Sequence, residues 1–286
     1  MSLHSAQTFE IGFGHDGAQS MSGSEAVIDH VTAHGDTVDI GDAGWVPGAI
    51  FDRQGFDLKI KGEDGQQLLI RDYFAQAKLA DLSLDGGEGV IRGAVVERLA
   101  GPSTDGQYAQ LDVSMGITIG SAEVVDGEAW ATRIDGTRVL LEEGSDIFMG
   151  DVLETGSGGA LLVNFVGETS FSLSERARMV IDELVYDPAS SANTASFSLV
   201  QGLFVLISGD VSKTGEMTID TPVSTIGIRG TSAVIEAAAE GEKNQITLLQ
   251  DPDGSVGIIE ISTGVSSVIL DTLGASTSVT AYNQPP

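Results

Sequence analysis

The chain has no cysteine, which excludes disulfide bridges, thiolate metal centres, iron–sulfur clusters and a cysteine nucleophile. Positive charge is also scarce, because 14 Lys and Arg stand against 42 Asp and Glu in 286 residues and the formal net charge is −28. A polyanion is repelled by phosphate backbones and by anionic membrane surfaces. We therefore expect no nucleic-acid partner.

Histidine is confined to the start of the chain, at His4, His15, His30 and His34, and the residues from 35 to 286 contain none. Ser-His-Asp and Cys-His mechanisms need an imidazole, so that long region cannot run them. His30 and His34 have a spacing that could hold a metal on a helix, but Gly35 follows directly. We expect exposed histidines in a polar leader, with no cofactor and no metal site.

Long apolar runs are missing as well. The most apolar stretch, Phe197 to Val211, is interrupted by two glycines and several polar residues, whereas a membrane helix needs about 20 apolar residues. Its alternating pattern and flanking glycines predict a buried strand rather than a transmembrane segment. The first thirty residues have no basic region followed by an apolar run, so we expect no Sec signal peptide.

What the chain does have is glycine, with 37 residues against 7 prolines. Short alternating apolar runs recur from residue 49 onward, and Asp-Gly steps, which are typical of tight turns, lie between them. They include Asp64-Gly65, Asp126-Gly127, Asp135-Gly136 and Asp253-Gly254. This pattern predicts an all-β protein, either a short-stranded sandwich or barrel or an irregular β-solenoid.

Composition divides the chain into four parts. We expect a flexible polar leader at 1–48, a small β-rich N-terminal module with a hairpin at 49–100, a linker at 101–110 and a larger β domain at 111–286. Residues 173–184 carry several charges and could form a short helix or a charged edge strand. Lys213-Thr214-Gly215 is expected in a turn.

The sequence supports neither a dinucleotide site nor a calcium site. Gly12 to Gly17 has the spacing of a dinucleotide fingerprint, but no buried strand precedes it and no convincing helix start follows it. No calcium-loop motif is present. The acidic residues are expected to form a solvated surface that allows weak divalent cation binding.

A compact signature lies at 219–231, with the sequence IDTPVSTIGIRGT. Pro222 fixes φ and removes a donor, so it belongs at a strand start or an edge. Gly227 and Gly230 flank Arg229 and allow a bulge or a close approach of backbones. Arg229 is then either a guanidinium satisfied inside the protein, the interpretation we favour, or an exposed contact for a partner. Together with Thr231, these residues are the candidate structural or partner-contact signature.

This signature and several earlier segments resemble the FecR domain family. The segments run in order from Gly127 to Ile235: GEAWA at 127–131, LLEEG at 140–144, GDVLETG at 150–156, the hairpin at 160–171, FSLVQG at 197–202 and the signature itself. The resemblance implies an all-β, non-enzymatic domain that acts through a protein partner, such as an outer-membrane receptor or a surface component.

Two forms of that function follow from the resemblance. In one group of FecR proteins the domain relays the loaded state of an iron–siderophore receptor, and in another it belongs to secreted or surface-attached proteins of Gram-negative bacteria. The segment from Gly55 to Phe74 resembles the leader of type I-secreted biofilm adhesins. Both forms imply a periplasmic or extracellular location. A carboxylate-based enzyme acting on surface glycans is the alternative of another class.

Overall fold

The computed structural model describes residues 25–28, 37–41, 43–76, 78–102, 116–190, 192–239 and 241–286. Within these ranges the protein is mostly β, which confirms the predicted fold class. The four histidines, the Gly12–Gly17 motif and most of the proposed leader and linker lie outside the described residues.

The N-terminal part is a small module of two sheets and one helix. The elements of the module are β1 (Glu25–Ile28), β2 (Thr37–Asp39), β3 (Ile50–Gln54), β4 (Asp57–Lys61), β5 (Gln67–Ile70), β6 (Asp81–Leu84), β7 (Gly89–Ile91) and helix α1 (Gly93–Ala100), with 3-10 turns at Val46–Gly48 and Tyr73–Ala75. Strands β1, β5, β4 and β3 form a four-stranded sheet in that order, and β2, β6 and β7 form a three-stranded one.

The hairpin predicted around Asp64-Gly65 is confirmed as β4–β5, with Gly65 at a φ of 86°. Leu58 and Ile60 are fully buried as the alternation predicts, but Phe56 precedes the strand and is exposed. Val38 and Val46 are buried in the same core. The packed module therefore begins before the expected boundary at residue 49.

Residues 118–279 form a network of sixteen hydrogen-bonded strands. The strands are β8 (Thr118–Asp126), β9 (Ala129–Thr132), β10 (Arg138–Leu140), β11 (Asp146–Phe148), β12 (Val152–Thr155), β13 (Ala160–Phe165), β14 (Ser170–Leu173), β15 (Arg178–Val185), β16 (Thr194–Ile207), β17 (Glu216–Asp220), β18 (Thr225–Arg229), β19 (Ser232–Ala237), β20 (Asn244–Leu249), β21 (Ile258–Ser262), β22 (Ser267–Leu270) and β23 (Ser276–Val279). A 3-10 turn at Val166–Glu168 and the short helix α2 (Val211–Thr214) interrupt them.

The network is one curled sheet whose two halves face each other across a shared core, and we call this arrangement the sandwich and its halves the layers. One layer, which we call the docked layer, contains β10, β9, β12, β15, the first half of β16, β17, β18, β21 and β22. The other, the open layer, contains β11, β8, β13, β14, the second half of β16, β19, β20 and β23. Inward side chains of both layers form one apolar core, in which Phe165, Phe171 and Phe197 pack with ring centroids 4.8 to 6.2 Å apart.

Strand β16 connects the two layers, and it confirms the buried strand predicted in the apolar stretch. Through Gln201 it pairs with β15, and from Gly202 onward it pairs with β14 and β19. Gly202 has a φ of 117°, and a Cβ built there would lie 2.5 Å from that of Ala177. Only glycine fits this crossing without strain.

Two local predictions need correction. Residues 178–185 form neither a helix nor an edge strand, because β15 lies between β12 and β16 inside the docked layer. Its charged side chains Arg178 and Asp182 are satisfied by the partners described below. Lys213 and Thr214 lie in helix α2 rather than in a simple turn, and Gly215 ends that helix.

Candidate protein-contact site

The 219–231 signature forms the hairpin β17–β18 and the turn into β19. Thr221 organises the hairpin loop, because its Oγ1 accepts from the backbone N–H of Ser224 at 2.9 Å and its own N–H donates to the Ser224 carbonyl at 2.8 Å. Pro222 is buried at the loop, where its missing N–H costs no ladder bond. Its carbonyl accepts from the N–H of Val90 in the N-terminal module at 2.7 Å. The predicted contact residue Pro222 thus makes a contact within the chain.

Arg229 differs from the favoured interpretation of an internally satisfied guanidinium. It is the last residue of β18 and its side chain is exposed on the outer face of the docked layer. None of the hydrogen bonds and ion pairs among the described residues uses its guanidinium. The alternation along β18 explains this position, because Ile226 and Ile228 point into the core and their neighbours point away from it.

The two signature glycines have different roles. Gly230 adopts a φ of 58° in the turn between β18 and β19, a conformation that favours glycine, but an added Cβ would meet only Lys213 Cγ at 3.9 Å. Gly227 pairs regularly with Thr218, and a Cβ added to it would meet nothing within 4 Å. The predicted bulge at Gly227 is therefore wrong. Close backbone approach occurs instead at Gly257, where an added Cβ would lie 1.9 Å from the Arg229 carbonyl oxygen.

Thr231 is fully buried, and its side chain holds two neighbouring segments together. Its hydroxyl donates to the carbonyl of Leu249 on the loop side of β20 at 2.6 Å. The neighbouring Ser232 donates to the buried carboxylate of Asp251 at 2.6 Å. These two bonds fix the entry of β19 against the following strand.

The outer face of the docked layer carries the main contact surface within the molecule. Val152, Val180 and Val200 project outward from β12, β15 and β16, yet each is at most 4% exposed because the N-terminal module covers them. The three side chains join the apolar core of that module. Their burial supplies the apolar part of the interface.

Arg178 supplies the polar part of the same interface. Its Nη1 donates to the backbone carbonyls of Pro47 at 3.1 Å and Ala49 at 2.8 Å, both in the N-terminal module. The rest of the guanidinium is held by Glu154, whose Oε1 lies 2.8 Å from Nε and 2.7 Å from Nη2. A charged fork that satisfies two carbonyls fixes the angle at which the module meets the sandwich.

A second polar contact lies at the signature hairpin. Arg92, which precedes α1, places its Nη2 3.4 Å from both Asp220 Oδ1 and Thr225 Oγ1. Asp182 lies under this edge of the module, and its carboxylate accepts from Ser198 Oγ at 2.8 Å. Burial raises the pKa of Asp182 to about 6, and the charge of Asp220 adds to the rise, while Ser198 and Arg98 oppose it.

The buried acid Asp151 has structural partners. Asp151 is 1% exposed and binds Arg133 together with the N–H of Phe148 at 2.9 Å, so it organises the turn before β12. Burial is the largest cause that raises its pKa to about 6. No group of metal-ligating side chains was found among the described residues.

Sequence reasoning found Pro222 but not the larger interface. Arg178 lies between two apolar residues, Ala177 and Met179. This pattern indicates a guanidinium that is satisfied inside the protein, which is the interpretation that we favoured for Arg229. The carbonyls that it satisfies belong to residues 47 and 49, which are far away in sequence, so the partner could not be read from the pattern.

Comparison with known proteins supports the resemblance in the sandwich. Residues 151–256, which are less than half of the chain, match the family model described as FecR protein, and we call them the FecR region. The match begins later than the expected Gly127 and extends beyond Ile235. Strands β8–β11 precede it but belong to the same sandwich. No curated protein matches the chain.

Three solved structures show partial similarity. One is described as a cell surface anchoring domain; it is 28% identical, and the match covers 22% of this chain and 83% of that one, with a TM-score of 0.22. Two others are structures of a candidate anti-sigma factor from Parabacteroides distasonis ATCC 8503, each 13% identical, with TM-scores of 0.34 and 0.33. Each of these two matches covers 46% of this chain and 59% of the other chain.

No helix in the described part of the chain is long and apolar enough to span a membrane.

Proposed function

We propose that this protein is a non-enzymatic contact protein of the Gram-negative cell envelope, in which the FecR region and the N-terminal module act as one unit. The observation that carries the proposal is the clamp of the module onto the FecR sandwich. Three outward valines, Arg178 and the Pro222 carbonyl join the two parts across β12, β15, β16 and the signature hairpin. Such a unit presents fixed surfaces, which suits recognition of a protein partner.

Two forms of this function compete, and the surface-attached form is the one that we favour. In this chain the FecR region is joined to a β-rich module. That module contains the segment that resembles adhesin leaders, and FecR regulation in the envelope remains the shared, broader role. We therefore infer that the unit serves as an N-terminal module of a secreted or surface-held adhesin.

Location in the envelope separates the forms, and the absence of cysteine makes a clean test possible. Ser276 lies exposed on β23, so Ser276→Cys introduces a single accessible thiol, whereas Ser232→Cys places the thiol at a position that is 2% exposed. Each variant is expressed in the native host and treated with a membrane-impermeant maleimide. The Ser232→Cys variant is the control for labelling of damaged or unfolded protein.

Labelling of Ser276→Cys on intact cells, or labelled protein in the medium, supports the adhesin form. Labelling that requires a permeabilised outer membrane supports the periplasmic relay instead. Labelling only after complete lysis contradicts the envelope proposal in both forms.

A further inference from the structure

A groove between the N-terminal module and the docked layer has the opposite charge to the rest of the protein. Its volume is about 610 Å³, and the basic residues that line it are Lys61, Arg98, Arg138, Arg176 and Arg178. Only Glu63 and Glu154 are acidic among its lining residues. In the whole chain acidic residues outnumber basic ones 42 to 14, so more than a third of all the positive side chains collect in this one groove.

Part of that positive charge is not neutralised. Glu154 is shared by Arg178 and by Arg138, whose Nη2 lies 3.3 Å from Glu154 Oε2. Arg98 and Arg176 take part in none of the ion pairs among the described residues, and Arg176 is exposed. A groove with low-dielectric walls concentrates such a field, which attracts anionic groups.

The groove also borders the edges of two sheets. Among the described strands, β10 pairs only with β9 and β3 pairs only with β4. Arg138 projects from β10 and stacks over Trp130 on β9, with its Cζ 4.4 Å from the ring centroid. Ile50, at the start of β3, is 64% exposed beside the groove. An unpaired edge offers main-chain hydrogen bonds to an extended segment, and side chains next to it select the sequence.

We propose that this groove binds an extended acidic segment of a partner protein, which enters beside β10 and directs its carboxylates toward Arg98, Arg138 and Arg176. The inference rests on the proposed contact function and adds the chemistry of the partner. Alternate side chains of a strand point the same way, so acidic residues at every second position would all face the arginines. Ile50 would contact an apolar side chain of the same segment.

The test uses the full chain and two synthetic peptides, an N-acetylated, C-amidated hexapeptide of alternating Glu and Thr and its counterpart with Lys in place of Glu. Trp130 fluorescence reports binding, and Trp45→Phe leaves it as the single tryptophan. Titration calorimetry on the unmodified protein checks that the Trp45 change is harmless. We expect the Glu peptide to bind at least tenfold more tightly than the Lys peptide and to weaken as salt is raised.

Charge-reversal variants locate the site. Arg176→Glu and Arg138→Glu are each expected to weaken binding of the Glu peptide at least fivefold. Lys243→Glu makes the same change of charge near β20, outside the groove, and is expected to weaken it less than twofold. Circular dichroism confirms that all three variants are folded.

Equal affinity for the two peptides overturns the proposal, as does an equal effect of Lys243→Glu and Arg176→Glu. Binding of polygalacturonate without binding of the Glu peptide also overturns it, because the occupant would then be an anionic glycan. Failure of this proposal leaves the thiol-labelling result unchanged, so the two can fail separately.

Discussion

The two layers of the sandwich have outer faces with different environments. The docked layer presents Val152, Val180 and Val200, and the N-terminal module buries all three. The open layer presents Leu203 and Val205, which are 44% and 37% exposed. The same alternation therefore gives a sealed internal interface over the central strands of the docked layer and an accessible surface on the open layer, and the difference lies in what covers each of them.

The FecR region by itself lacks the module that covers its docked layer. Taken alone, the matched residues 151–256 would expose the valines of the docked layer and leave Arg178 without its two carbonyl partners. A large exposed apolar patch favours association with whatever can cover it. In this protein the N-terminal module is that cover, so the folded unit is larger than the family region.

The largest expected effect comes from two matched substitutions on one strand. Val200→Asp puts an unpaired carboxylate into the sealed interface and is expected to lower the free energy of unfolding by about 3–5 kcal/mol. Val205→Asp makes the same change on the accessible face and is expected to cost less than about 1 kcal/mol. Urea unfolding of both variants measures the difference, and equal losses would show that the two faces are not distinct.

A smaller effect is expected where β16 crosses between the layers. Gly202→Ala must place a Cβ against Ala177 at a positive φ, so we expect a loss of roughly 2–4 kcal/mol. Gly227→Ala is the control, because the space beside Gly227 is open and its φ is not positive. Thermal unfolding should show a clear fall for the first variant and almost no change for the second. A tolerated Gly202→Ala would mean that the crossing does not depend on this residue.

The polar clamp is tested by removing its guanidinium. Arg178→Met keeps much of the side-chain volume but leaves the carbonyls of Pro47 and Ala49 without their partner and Glu154 with Arg138 alone. We expect a loss of about 2 kcal/mol in chemical denaturation. Arg229→Met removes an exposed guanidinium with no bond among the described residues, and its expected loss is below about 0.5 kcal/mol. The reverse order would restore the structural role first expected for Arg229.

The smallest expected effect depends on pH. Because the pKa of Asp182 is raised to about 6, the native state holds this proton more tightly than the unfolded chain does between pH 4 and 6. The contribution of Asp182 to stability is therefore full at low pH, declines as pH rises through about 6 and is constant above it. Asp182→Asn removes the ionisation, so above pH 7 the variant should be more stable than the wild type.

The advantage of Asp182→Asn should disappear near pH 4, where the wild-type carboxyl is protonated as well. Denaturation curves at several pH values provide the measurement. A stability difference that does not change with pH would show that Asp182 is not titrating at the module edge.

The sequence predicted the β class, the Asp64-Gly65 hairpin and the buried strand within 197–211, because local alternation and turn chemistry determine these features. It did not predict helix α1, where Gly93 N–H is capped by the Asp81 carboxylate at 2.9 Å, since that cap comes from another strand. The same limit explains the error at Arg229. Alternation shows that a side chain points away from the core, but it does not show whether another module packs against that outer face.

The site was predicted only in part for a related reason. Pro222 and Gly230 have backbone requirements that a single sequence reveals, whereas the roles of Arg178 and the basic groove depend on residues brought together from both modules. The lining residues of the groove range from 48 to 201 in the chain. No window of sequence shows that concentration of positive charge.

The central claim is that the N-terminal module and the sandwich unfold as one unit, and hydrogen exchange at the Val90 amide tests it most directly. This N–H belongs to the module, and its acceptor is the Pro222 carbonyl of the sandwich. The account predicts that Val90 exchanges only with the free energy of global unfolding, as the central amides of β16 do. Exchange of Val90 through a much smaller opening, while β16 stays protected, would show that the module separates freely and would contradict the account.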